Sequence, residues 1–64
     1  MNKAKYKVGQ TVRVQVLDLV TTGTIIQRTL METASEYAIR YKVVWNGKQD
    51  EYVEPWESSL DRLN

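Results

Sequence analysis

No cysteine and no histidine occur among the 64 residues of the chain. The first absence removes disulfides, thiolate nucleophiles and thiolate metal sites, and the second removes the usual imidazole base and the commonest neutral metal ligand. Serine–histidine, cysteine–histidine and zinc chemistry within one chain are therefore excluded. There is one proline and there are three glycines, none of them in a phosphate-cradling arrangement. No apolar stretch exceeds three residues, as in Val43 to Trp45, far short of the ~20 needed to span a membrane. Lys3, Lys5 and Lys7 resemble the start of a secretory signal, but no apolar segment follows before Thr11. The expectation is a cytoplasmic chain without membrane segment, metal or cofactor.

What is present is a globular composition, 42% hydrophobic and 27% charged. The length allows one domain over residues 1–64, with residues 1–6 as a flexible basic tail. A chain this short buries only ~60% of the surface its unfolded form exposes, so its fold must be economical.

The dominant pattern has period two. Val12, Val14 and Val16 alternate with Thr11, Arg13 and Gln15, which predicts a first strand over Gln10 to Leu17. Asp18 to Gly23 interrupts, and the β-branched run Thr24 to Leu30 predicts a second strand. From Glu36 to Trp45, Tyr37, Ile39, Tyr41, Val43 and Trp45 share one face, while Glu36, Ala38, Arg40, Lys42 and Val44 share the other. Asn46-Gly47 then signals a tight hairpin to a fourth strand, Lys48 to Glu54, which Pro55 ends. Trp56 to Leu60 reads as one helical turn, and Asp61 to Leu63 as a short fifth strand. Such strands are served most economically by an all-β five-stranded small barrel, whose closure protects the edges. The expected core is Val12, Val14, Val16, Ile25 or Ile26, Ile39, Val43, Val53 and Leu60.

Two resemblances follow from particular residues. Lys7-Val8-Gly9-Gln10-Thr11-Val12-Arg13-Val14 followed by Thr22-Gly23-Thr24-Ile25-Ile26 is similar to the opening of SH3-like barrels. Tyr37 to Tyr41, Trp45-Asn46, Asp50-Glu51-Tyr52-Val53 and Leu60 resemble the chromo-barrel and Tudor-like branch. That likeness implies a methyl-lysine cage of aromatic rings, with Tyr41 and Trp45 as walls and Tyr52 or Trp56 completing it. The ends of the chain, with Gly23-Thr24-Ile25 and Tyr37-Ala38-Ile39 between, also resemble plasmid-type (type II) dihydrofolate reductases, short barrels that build one active pore from four subunits. Where those enzymes carry valine-glutamine-isoleucine-tyrosine, this chain has Tyr52-Val53-Glu54-Pro55, so the substrate-binding motif is missing.

The net charge of +1 conceals a sequence dipole. Lys3, Lys5, Lys7 and Arg13 lead the chain without an acid, whereas Asp50, Glu51, Glu54, Glu57 and Asp61 crowd its end. Compensation between the two ends is the simpler reading; the other is phosphate contact through Lys3, Lys5, Lys7 and Arg13. Asp50-Glu51 and Glu54 with Glu57 are the carboxylate pairs from which acid–base catalysis would have to be built, and both read as solvated surface. These residues point to a non-catalytic binding module that engages a protein or peptide through Arg28, Arg40, Lys42, Trp45, Tyr52 and Trp56, residue types enriched at binding hot spots. A small nucleic-acid-binding barrel and a subunit of an oligomeric pore enzyme are the alternatives.

Overall fold

The computed structural model describes residues 4–32, 34, 36–45 and 50–64. Strands β1 (Thr11–Val16), β2 (Leu19–Glu32), β3 (Tyr37–Trp45) and β4 (Tyr52–Val53) form one antiparallel sheet in the order β1-β2-β3-β4, and helix α1 (Glu57–Leu63) follows. The sheet does not close. The expected five-stranded barrel is corrected to a four-stranded open sheet with a helix packed against β1 and β3.

The reason lies at the end of the chain. Trp56, Leu60 and Leu63 recur at spacings of four and three, which is a helical period. Glu57 in the first turn and Arg62 in the last complement the helix dipole. The expected strand Asp61 to Leu63 is therefore the second turn of α1. Asn64 then takes the place a fifth strand would occupy beside β1. The Arg13 N–H donates to Asn64 Oδ1 at 2.9 Å, and Asn64 Nδ2 donates to the Arg13 carbonyl at 3.0 Å. One amide side chain satisfies the two edge groups of Arg13 that a strand would have paired.

The second strand is twice as long as its sequence pattern suggests. Of the stretch Asp18 to Gly23 only Asp18 lies outside it: Leu17-Asp18 is a two-residue hairpin loop, Val16 pairs Leu19, and the β1–β2 register runs unbroken to Thr11 opposite Thr24. Leu17 adopts φ 56°, an uncommon conformation for a residue with a Cβ, and its side chain is fully in solvent. Gly9, at φ 96°, turns the chain into β1. β2 pairs β3 from Gly23–Trp45 to Glu32–Tyr37, with Ile26 as a bulge between the Ile25–Val43 and Gln27–Lys42 pairs. The bulge shifts the phase of β2 by one residue. Ile25 is buried, and Ile26 is exposed.

The core comprises Tyr6, Val12, Val14, Ile25, Ile39, Tyr41, Val43 and Leu60, with Ala4, Val16 and Val53 packed against it. Burying each large aliphatic side chain contributes about 1.5–3 kcal/mol. Two tyrosines join the aliphatic residues expected from the alternation. Of the stretch read as a tail, residues 4–6 are held: Ala4 and Tyr6 belong to this packing, and Lys5 binds α1 through backbone and side chain. The Asn46-Gly47 turn and residues Lys48 and Gln49 lie outside the described residues. Among the described residues, no helix is long and apolar enough to cross a membrane.

Candidate functional site

Even-numbered residues of β3 face away from the core, and the β2 bulge brings Gln27 and Thr29 onto the same surface, opposite Lys42 and Arg40. β4 pairs Tyr52 with Val44, and an isolated bridge sets Trp56 opposite Arg40. This register assembles four of the six expected contact residues. The Arg40 guanidinium lies 4.8 Å from the centroid of the Trp56 ring, and the Lys42 ammonium lies 4.5 Å from the centroid of the Tyr52 ring. Each is a cation–π contact worth about 0.5–1 kcal/mol at an exposed site. Arg40 Nε also donates to the Glu54 carbonyl at 2.9 Å, which fixes the plane of the guanidinium. Both rings remain open to solvent, Tyr52 at 48% and Trp56 at 38%. The surface is a row of two stacked cation–ring pairs.

The other two expected residues lie elsewhere. Arg28 is opposite Tyr41 on the core side of β2, and its Nη1 donates to the Tyr6 carbonyl at 3.0 Å. Trp45, half-buried, ends β3 opposite Gly23 on the core side. The aromatic cage does not form from Tyr41 and Trp45, because Tyr41 is 1% exposed and belongs to the core. Thr29, Gln27 and Glu54 are the neighbours that the sequence pattern missed. The only signal for the first two was the pair Ile25-Ile26, two large apolar residues in a row where alternation allows one.

Of the four expected phosphate contacts, Lys5, Lys7 and Arg13 are among the described residues. Lys3 lies outside the described residues. Lys5 Nζ is engaged by Asp61 Oδ2 at 2.6 Å. Lys7 is exposed before β1, and Arg13 is on β1, separated from the β3 cations by β2. The basic beginning and the acidic end do meet, and they meet around two tyrosines. The Tyr6 hydroxyl donates to Asp61 Oδ1 at 2.7 Å, and the Tyr41 hydroxyl donates to Glu57 Oε2 at 2.7 Å while accepting the Tyr6 N–H at 3.3 Å. The Lys5 N–H reaches the same Glu57 oxygen at 2.9 Å. The two rings pack edge to face with centroids 5.6 Å apart. Glu57 is thus a structural carboxylate. Among the described residues no group of three or more acidic side chains could hold a metal ion.

This network sets the pH limits of the fold. Its bond to Asp61, helped by burial, pushes the Tyr6 hydroxyl up to about 12, and burial with the Glu57 bond pushes Tyr41 up to about 12. Lys5 and then Tyr6 hold the Asp61 carboxyl below its ordinary value, and Asp61 in turn raises Lys5. A raised tyrosine pKa contributes stability that is complete below the unfolded value of ~10 and lost as pH rises through about 12. A lowered Asp61 contributes stability present above ~3.9 and lost as pH falls through the folded value. The melting temperature is expected to be level between about pH 5 and 9 and to fall on both sides. Thermal melts of Asp61→Asn should show a weaker acid slope, and an unchanged slope would remove Asp61 from this role.

Comparison with protein-family models, with curated proteins and with solved structures finds no match to this chain in any of the three.

Proposed function

We propose that the chain is a non-catalytic binding module that engages a protein or peptide partner through the outer face of β3 and β4, with Arg40, Lys42, Tyr52 and Trp56 as the contact residues. The observation that carries this reading is the pair of adjacent cation–ring stacks. A guanidinium and an ammonium held over aromatic rings have already lost much of their rotamer freedom, which lowers the cost of ordering them on binding. Their free N–H groups suit carboxylates and backbone carbonyls, and the rings supply apolar area that a partner desolvates. Arginine, tyrosine and tryptophan are the residue types on which interface energy concentrates.

Selection of a displayed random-peptide library on the folded chain tests the idea. Selected peptides are expected to lose about 2 kcal/mol of binding, roughly thirtyfold, to Trp56→Ala or Arg40→Ala. Arg62→Ala, on the opposite side at the end of α1, should leave binding unchanged. Peptides that bind all three variants like the parent would place the contact surface elsewhere. Labelled single-stranded DNA and RNA serve as counter-probes, and tight binding of these at physiological salt with no peptide selected would overturn the protein-partner reading.

A further inference from the structure

β2 is longer than the strand beside it. Its β1 side is paired from Leu19 to Thr24, and two further bonds, Gly9 N–H to the Ile25 carbonyl and Ile25 N–H to the Gln10 carbonyl, end that ladder. Beyond Ile25 the β2–β3 hairpin projects, and the molecule is 36 Å long against 20 and 17 Å in its other dimensions. The backbone direction of the projecting segment can be worked out from β3. Arg28 is opposite Tyr41, whose N–H donates to the Pro55 carbonyl on the far side. In an antiparallel ladder that pair exchanges no bonds, so the N–H and C=O of Arg28 point to the other edge of β2, where no described strand pairs with them. The same parity applies to Leu30 and Glu32. This edge also carries apolar side chains, Leu30 and Met31, each 44% exposed.

Natural sheets blunt a free edge with lysine, proline, short strands or an inward-pointing charge. Arg28 taken alone would be such a charge. Glu32, four residues on and of opposite sign, changes its meaning. A strand paired antiparallel with a copy of itself about a dyad at Leu30 sets each Arg28 opposite the other copy's Glu32. A dyad at Arg28 or Glu32 would oppose like charges. The edge is self-complementary in one register.

We propose that two copies of this chain associate through their β2 edges, antiparallel about a two-fold axis at Leu30. The interface is isologous, so each feature occurs twice. Leu30 exchanges both backbone bonds with its own counterpart, and Arg28 does so with Glu32 on either side. Leu30 packs on Leu30 on the core face, while Thr29 opposes Met31 on the other face. Only a short segment is joined, so the dimer is a weak and concentration-dependent one.

Sedimentation velocity over a concentration series reads this directly. The parent chain should pass from 7.5 kDa toward twice that mass as concentration rises. Arg28→Glu and Glu32→Arg each place two like-charge pairs across the axis, and each should weaken association about tenfold or more. Mixed in equal amounts, the two variants form opposite-charge pairs at every contact, and the dimer should return as a heterodimer. The double variant Arg28→Glu/Glu32→Arg should dimerise like the parent. If Arg28→Glu does not fold for want of its bond to Tyr6, Glu32→Arg still has to dissociate, and Arg28→Gln has to weaken association by a smaller factor. A parent chain that stays monomeric at every concentration overturns the proposal. So does a dimer that Glu32→Arg leaves intact, or one that the mixture of folded variants fails to restore.

Discussion

Gly23→Ala should cost about 3 kcal/mol of stability, at the upper end of what overpacking does to a tight interior. Gly23 lies inside β2, between Val12 of β1 and Trp45 of β3. A Cβ there would come within 2.6 Å of both Val43 Cγ1 and the Val44 carbonyl oxygen. One of those obstacles is backbone, which moves only by disturbing the β2–β3 ladder. The opposing effect is smaller: alanine restricts the unfolded chain more than glycine, a gain of about 0.5–1 kcal/mol. The clash decides the sign. At roughly 0.05–0.15 kcal/mol per residue, a chain of this size holds about 3–10 kcal/mol in all. Urea denaturation should show a midpoint lowered by about three tenths of its value or more. A change of less than about 1 kcal/mol would mean that the sheet relaxes around the methyl group.

Leu60→Ala is expected to be at least as damaging, about 3 kcal/mol or more. Leu60 is completely buried, the one residue through which α1 enters the core. Truncation removes its transfer free energy and leaves a cavity beneath an open sheet. Leu60→Met, which keeps the volume, should cost under about 1.5 kcal/mol. Circular dichroism and urea melts of the pair separate packing from helix formation, since alanine is the better helix former. Equal stability for the two variants would show that α1 is not what covers the sheet.

These two positions also show what was legible in the sequence. Leu60 is readable as core because Trp56 to Leu60 reads as a helical turn after Pro55, with one large aliphatic residue to set against the sheet. Gly23 was misread as the end of a loop. Thr21 and Thr22 are polar by type yet β-branched, so their strand preference is hidden behind a hydropathy pattern that looks broken. The bulge at Ile26 then reversed the phase of the rest of β2, and no composition signal marks a phase reversal except the doubled isoleucine. β3 carries no such defect, and its alternation correctly separated Arg40 and Lys42 from Ile39, Tyr41 and Val43. The aromatics were the hard part. Tyr41 and Trp45 lie on the core side, while Tyr52 and Trp56 lie outside, because the pairing of β3 with β4 decides the side and a two-residue strand has no period to read. Tyr6 was hidden among lysines whose charge suggested a tail; the acids that hold that segment are more than fifty residues away.

The open sheet has a consequence for the order in which the molecule assembles. Every strand pairs only with its neighbour along the chain: β1 with β2, β2 with β3, β3 with β4. Each step therefore closes a short loop, and the sheet can zip outward from any of its hairpins at little entropic cost. A closed barrel would instead have to bring its first and last strands into register. Here no strand ladder joins the described ends, which are held through hydrogen bonds of the Lys5, Tyr6 and Asn64 side chains to Asp61 and to the Arg13 backbone. Such a clasp fastens after the sheet exists and can release without unzipping it, so the chain has a built-in sequence of opening in which its ends part before its middle.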